Sequence, residues 1–342
     1  MNTPRKFWFI LIGAILTMVI IACSCGTITT PTAPPSPTAL PPPNVPPSPT
    51  GRPMPELEGY WQWSNKVYTI AWQNSQYVVT SVIDSEEGSL EITSQSWNGS
   101  TLTWTYYRPS GDTSETYTTS SVSGNKLFLN YSNSAGYSSS ETFHKVSSAQ
   151  PSYDSLPLYD DFSDPNSGWA IWEDADGAVG YSNGSYFSVS KTHSLYFDGY
   201  PFMFFGDTVI EVDVTAASGP GNNYFGYAVA CRVRNNGGSY SFEIDGQGYY
   251  AVGVFTDSDT YISLLSGDEW QYSSAITPGL ATNHLIVTCA GSLLRLEVNG
   301  QVVFEGQDST YPDGDIGLSA ITYDDTNFPA EVHFDNLVVT AP

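Results

Sequence analysis

From Tyr60 onward the chain alternates apolar and polar residues in short runs separated by turn residues, and no stretch carries the three-to-four spacing of a helix. Period two puts successive side chains on opposite faces of an extended strand, so each run has one face to bury and one for water. A chain made only of such runs must stack sheet on sheet or curl one sheet on itself. The expected fold class is all-β, and 342 residues leave room for two ordinary domains.

The first unit is expected over 57–147, where runs fall at 60–63, 67–72, 76–83, 90–97, 102–107, 115–122, 126–131 and 140–146. Turns such as Glu87-Gly88, Asn98-Gly99 and Gly124-Asn125 join them. Connections this short force antiparallel neighbours, which predicts an up-and-down meander curled into a small barrel. Gly59-x-Trp61, Trp97-Asn98-Gly99 and Leu102-x-Trp104 resemble the lipocalin-like meanders of bacterial envelope proteins. The aromatic residues could line a ligand cup, but a barrel this small usually fills its interior with side chains. Core packing is the expectation and a pocket the alternative.

After a Ser/Pro/Tyr segment at 147–156, a second unit spans 157–342, with strand runs at 186–189, 208–214, 224–234, 239–244, 249–255, 284–289, 293–298, 301–304, 316–323 and 331–339. So many strands without a helix argue for two antiparallel sheets packed face to face, a jelly-roll β-sandwich. Tyr159-Asp160-Asp161-Phe162-Ser163 with Gly168-Trp169, then Phe205-Gly206-Asp207, Val298-Asn299-Gly300, Gly314-Asp315-Ile316-Gly317-Leu318 and the closing Phe334-Asp335-Asn336-Leu337 resemble the concanavalin-like lectin/glucanase fold. Laminin-G domains and the domain named for 3-keto-disaccharide hydrolysis belong to the same group. The resemblance covers the whole second unit and implies glycan or protein binding more often than catalysis, although a fold by itself settles neither. Related domains carry a cysteine at the places of Cys231 and Cys289. Both sit in register with apolar residues of their strands, and outside the cytoplasm a pair is more readily bridged than free, so a Cys231–Cys289 disulfide is expected.

Composition narrows the chemistry. The chain has 11 Lys plus Arg against 35 Asp plus Glu, a net charge of −24, and no basic cluster with which to track phosphates. Nucleic acid is excluded as a partner. Four histidines at spacings that match no zinc motif, and no Gly-x-Ser-x-Gly elbow, leave metal-hydrolase and nucleophilic readings without residues.

The sharpest enzymatic candidate is Glu211-Val212-Asp213-Val214-Thr215. The retaining glucanases that the resemblance brings in carry Glu-x-Asp-x-Glu on one strand, and here Thr215 stands where the acid/base belongs. Retaining hydrolysis needs two carboxyls about 5 Å apart, so unless another acid such as Glu243 takes over, the site cannot turn over. No catalytic residue is assigned. For sugar binding, a concave face needs aromatic platforms and polar side chains. Counting alternate positions from Cys231 turns Arg232, Glu243 and Tyr250 outward, with Trp270 in a following loop. No cofactor is required. First and last strands of such jelly rolls lie side by side, so Asp161 (with Asp160) and Asp335 form a candidate structural calcium site.

Arg5 and Lys6 precede a run of 16 mostly apolar residues, too short to span a bilayer as a helix and shaped as a signal peptide over 1–22. It ends in Ile20-Ile21-Ala22-Cys23, which resembles the bacterial lipobox and implies a lipid on Cys23. The Pro/Thr/Ser tract of 23–56 holds 12 of the 23 prolines and cannot form a core, so it reads as an extended stalk. The expectation is a lipoprotein held to a membrane of the cell envelope, facing outside the cytoplasm, whose jelly roll binds carbohydrate or an envelope protein without chemistry. A glycoside hydrolase acting on extracellular polysaccharide and a structural or sensory ectodomain module are the alternatives.

Overall fold

The computed structural model describes residues 53–342 apart from 220, 222, 259, 268, 269 and 324–328. Cys23 and the leader, with the stalk up to residue 52, lie outside the described residues. The described chain is all-β, with a single 3-10 turn at Pro55–Leu57.

Nine antiparallel strands form the first sheet: β1 (Gly59–Trp63), β2 (Lys66–Gln73), β3 (Gln76–Asp84), β4 (Gly88–Leu90), β5 (Ile92–Trp97), β6 (Leu102–Arg108), β7 (Thr113–Ser123), β8 (Lys126–Asn133) and β9 (Ser138–Val146). Their order is β4-β3-β2-β1-β9-β8-β7-β6-β5, a meander joined at β1 and β9. The run expected over 90–97 is two strands, because the chain changes neighbours at Glu91: β4 pairs with β3, and β5 with β6. The remaining gap is bridged by a side chain. Gln95 of β5 accepts from the Val79 amide of β3 at 2.8 Å and donates to the Val79 carbonyl at 3.3 Å, so its carboxamide stands in for a peptide group.

The barrel is filled. Trp61, Tyr68, Trp104, Tyr106, Tyr117 and Phe143 are completely buried inside it, and Tyr68 stacks on Phe143 with ring centroids 4.6 Å apart. Packing of this kind leaves no ligand cup among these side chains, which decides between the two readings of the interior.

The second unit begins with β10 (Leu158–Asp160), β11 (Trp172–Glu173), β12 (Gly177–Ser182), β13 (Ser185–Ser190) and β14 (Tyr196–Gly199). Then come β15 (Thr208–Ser218), β16 (Gly226–Val233), β17 (Ser239–Asp245), β18 (Tyr249–Phe255), β19 (Tyr261–Ser263) and β20 (Gln271–Tyr272). The last five are β21 (Thr282–Ala290), β22 (Leu293–Val298), β23 (Gln301–Gln307), β24 (Asp315–Ile321) and β25 (Ala330–Thr340). One sheet runs β11-β12-β13-β25-β15-β21-β22-β23, with β10 beside β25; the other runs β14-β24-β16-β17-β18-β19, with β20 beside β18. Alternate residues of both sheets, including Ile210, Val212, Val229, Phe242, Val287 and Leu318, meet in one core. This is the expected two-sheet sandwich. Cys231 of β16 and Cys289 of β21 are bonded across the two sheets, 58 residues apart, and closing such a loop contributes about 4 kcal/mol in the chain-entropy account.

One hairpin docks the sandwich onto the barrel. Asn235, in the turn between β16 and β17, donates to Asp84 at 3.2 Å and to Glu86 at 3.3 Å, and accepts from Lys66 at 3.4 Å and Arg108 at 2.7 Å. All four of its polar groups are engaged by the barrel. Arg234 beside it pairs with Glu86 at 3.3 Å, and Trp63 stacks on Phe202 of the sandwich at 5.4 Å.

Candidate functional site

Strand β17 reads Ser239-Tyr240-Ser241-Phe242-Glu243-Ile244-Asp245. The pleat sends Tyr240, Phe242 and Ile244 into the core and turns Ser239, Ser241, Glu243 and Asp245 to the other face. Every residue of the strand is nonetheless buried, so the outer face of this sheet is covered as well as the inner one.

The cover is aromatic and the floor is small. Across from Glu243 stand Ala228 and Ala251, and across from Ser241 stand Ala230 and Gly253. Gly317 and Ser319 of β24 extend the same rows. A Cβ on Gly253 would collide with the Tyr261 ring, and one on Gly226 with the Tyr323 hydroxyl. The floor lacks side chains because rings lie on it. Tyr196, Phe255, Ile321 and Tyr323 form a second apolar cluster there with Trp270 against it.

Two of the carboxylates on this face are engaged by side-chain hydroxyls. Tyr196 donates to Glu243 Oε2 at 2.7 Å and Ser241 to Oε1 at 3.2 Å, while Glu243 itself is 0% exposed. Asp198 accepts from Ser319 and from Tyr200, yet burial wins and pushes its carboxyl above the usual range. The same burial, with Asp198 beside it, holds the Tyr200 phenol well above its ordinary value. Asp198, Ser319, Ala228 and Glu243 form one cross-strand row, so three strand spacings, roughly 14 Å, separate the two acid backbones. Around Asp198, Tyr200, Ser239, Ser241 and Ser319 a recess of about 340 Å³, its open mouth included, reaches the surface. Most of that is open mouth: the enclosed space is about 20 Å³, room for roughly one water and not for a pyranose ring.

Glu243 and Trp270 therefore lie on one face, as expected. Arg232 and Tyr250 do not. Alternation fails at Arg232 because β16 bulges between Cys231 and Val233 and Arg232 takes a left-handed φ of 53°. Its guanidinium turns into the end of the sandwich, bonded to the Gly291 and Tyr311 carbonyls at 2.9 and 2.7 Å and to Asp207 at 2.9 Å. Tyr250 pairs in register with inward Ile244, and its hydroxyl donates to the Val303 carbonyl of the opposite sheet at 2.7 Å. The outward tyrosine of β18 is Tyr249.

Glu211, Asp213 and Thr215 lie on β15, in the other sheet, on its half-exposed outer face. There His284 Nδ1 meets Asp213 at 2.8 Å and His284 Nε2 meets Glu211 at 3.3 Å, while Thr215 bonds Thr282 at 2.7 Å. The motif is thus on the face opposite the recess, where it is tied up by cross-strand partners. Asp161 closes a turn on Ser163 at 3.0 Å, and Asp335 accepts from Asn336 at 2.7 Å. Among the described residues no group of three or more His, Cys, Asp or Glu is placed to hold a metal.

Tyr196, Asp198, Tyr200, Ser241 and Ser319 were not singled out from sequence. A signal existed. Ser239-x-Ser241-x-Glu243-x-Asp245 puts a polar residue at every second place of a strand whose other places are apolar, and Tyr196-x-Asp198-x-Tyr200 repeats the pattern. Alternation alone marks only a half-buried strand, so the sequence does not show that this polar face is itself covered.

No protein-family model matches the chain, and no curated protein matches it. Among solved structures it is similar to the carbohydrate-binding module CBM66 from Bacillus subtilis, at 18% identity and a TM-score of 0.35, over 51% of this chain and 96% of that one. It is also similar to a Bacillus licheniformis beta-glucanase, at 11% identity and a TM-score of 0.42, over 54% and 98% of the two chains. A beta-1,3-1,4-glucanase (lichenase) derived from a mouse hindgut metagenome matches at 11% identity and a TM-score of 0.43, over 54% and 99%. The strand order of this chain carries the fold assignment by itself.

Proposed function

We propose that the sandwich binds carbohydrate on the outer face of the β14-β24-β16-β17-β18 sheet and does not cleave it. The observation that carries this reading is the row of Asp198, Ser319 and Glu243, acids and hydroxyls set among tyrosines over a floor of Ala and Gly. Sugars are recognised by the same two elements, rings that pack on their C–H faces and oxygens that exchange hydrogen bonds with their hydroxyls. Glu243 is sealed and engaged at both oxygens, which suits a group that orders hydroxyls and not one that protonates a leaving oxygen. The same reading places the protein outside the cytoplasm, exported by residues 1–22 and held to an envelope membrane by a lipid on Cys23. A stalk of extended proline-rich chain would carry the folded units up to about 90 Å from that membrane.

The test is a glycan screen on the full chain, with reducing-end release measured on the same oligosaccharides. Retained binding without release is the expected result. Sugar release that disappears in Glu243→Gln would replace the reading by hydrolysis, and absence of any glycan binding would remove it.

A further inference from the structure

Most rings over this sheet are buried, so they cannot present a face to a ligand without being displaced. Tyr249 and Tyr272 are the exception: they expose 38% and 65% of their surface. They face each other across the β18–β20 pairing, with centroids 5.5 Å apart and planes at 71°. Two rings at this angle make a corner: one face to stack on and one wall beside it.

The corner is held stiffly. Asp245 Oδ1 accepts from the amides of Gln247 at 2.9 Å and Tyr249 at 2.7 Å, which fixes the turn that carries Tyr249. The amide of Ser273 donates to the Gly248 carbonyl at 3.0 Å, tying the strand that carries Tyr272 to the same turn. Gly248 has a φ of 98°, and a Cβ there would stand 3.2 Å from the Tyr272 ring. The glycine thus supplies both the left-handed turn and the room for the ring. Behind the corner, the Tyr250 hydroxyl, whose proton goes to the Val303 carbonyl, lies 3.0 Å from the Gln271 carboxamide beside Tyr272. Preset aromatic contact area loses little entropy on binding.

We infer that the Tyr249–Tyr272 corner is the site where a neutral pyranose residue stacks, outside the recess around Asp198 and Ser319. The inference rests on carbohydrate binding by this sandwich. Neutrality follows from charge: from residue 151 onward the chain has 26 acidic against four basic residues, a field that repels uronic acids and other anionic sugars.

The experiment measures affinity of the full chain for cellotetraose, laminaritetraose, maltotetraose and tetragalacturonate by titration calorimetry, for wild type and for Tyr249→Ala, Tyr272→Ala, Tyr272→Trp, Gly248→Ala and Trp270→Ala. The expected result is binding of a neutral tetrasaccharide and none of tetragalacturonate. Loss of either tyrosine should then weaken binding about ten-fold, in line with one aromatic contact, Gly248→Ala should weaken it by displacing the ring, and Tyr272→Trp should retain it. An unchanged melting temperature of Tyr272→Ala, whose ring is mostly in solvent, separates lost stacking from lost folding. If a neutral sugar binds wild type and both tyrosine variants equally, the corner is excluded, and loss of that binding in Trp270→Ala would place the ligand at the Trp270–Tyr323 cluster instead. Preference for tetragalacturonate also overturns the assignment. If wild type binds none of the panel and no other glycan, the underlying reading of the sandwich fails first.

Discussion

Asp84 in the barrel and Glu243 in the sandwich are equally buried acids, 1% and 0% exposed, but their neighbours differ in kind. Asp84 faces the Lys66 ammonium at 3.2 Å and takes further bonds from Asn65 at 3.0 Å and Asn235 at 3.2 Å. Glu243 is met by the hydroxyls of Tyr196 and Ser241. The first arrangement neutralises a charge where two units meet, and removing one member strands the other. The second satisfies the oxygens with neutral hydroxyls and brings in no counter-charge. Asp84, ion-paired, is part of the joint between the units, whereas Glu243, held by hydroxyls, lies under the candidate binding face.

The strongest way to break this contrast is Lys66→Met. Breaking a buried pair by deleting one partner leaves an uncompensated charge and typically costs 3–5 kcal/mol, and Lys66 and Asp84 side chains are only 2% and 0% exposed. Urea unfolding of the variant should show a loss of about that size. A loss below about 1 kcal/mol would mean that Asn65 and Asn235 suffice for Asp84, and the two acids would then be of one kind.

Glu141 sharpens the comparison, because it is a hydroxyl-held acid inside the barrel. It accepts from Ser139 and from Trp63, but burial outweighs both and raises its carboxyl to about 7. The folded state therefore holds the proton more tightly than the unfolded chain, whose carboxyl titrates near 4.5. Its contribution is most favourable below pH 4.5, falls as pH rises to about 7, and is a constant penalty above, of order 3 kcal/mol at most. Glu141→Gln should accordingly stabilise the protein at pH 8 and change little at pH 4, read as two urea midpoints. A loss of stability at pH 8 would place an unrecognised counter-charge beside Glu141.

Much of this architecture is legible from the sequence, and what is not has local causes. Period two gave the sheets, because long strands such as β15 and β21 keep strict alternation, and together with the family resemblance it pointed to the Cys231–Cys289 bridge. Strands of two to four residues, such as Trp172–Glu173 and Gln271–Tyr272, are too short to show a period. Counting by twos then failed where the backbone does: the bulge at Arg232 turned a residue read as outward into the end of the sandwich, and the turn at 246–248 set Tyr250 in register with inward Ile244. The Glu211-x-Asp213 motif, to which no catalytic role was assigned, was legible as far as its face and no further. Alternation gives the two acids a common face, but which sheet holds the strand depends on pairings with β21 and β25, more than 60 residues away.

The smallest effect is expected at Asp198, and its sign matters more than its size. Burial raises this carboxyl despite the bonds from Ser319 and Tyr200, so its ionised form weakens the fold, fully once pH exceeds the raised value and not at all below the unfolded one. Asp198→Asn keeps an oxygen for Ser319 and removes the charge. The variant should melt slightly higher than wild type at pH 8 and at the same temperature at pH 4, the reverse in sign of Lys66→Met. If carbohydrate uses the row through Ser319, the same variant should weaken binding while raising stability, a split that a purely structural acid does not produce. Equal losses of both would place Asp198 with Asp84, as an acid that holds the fold together.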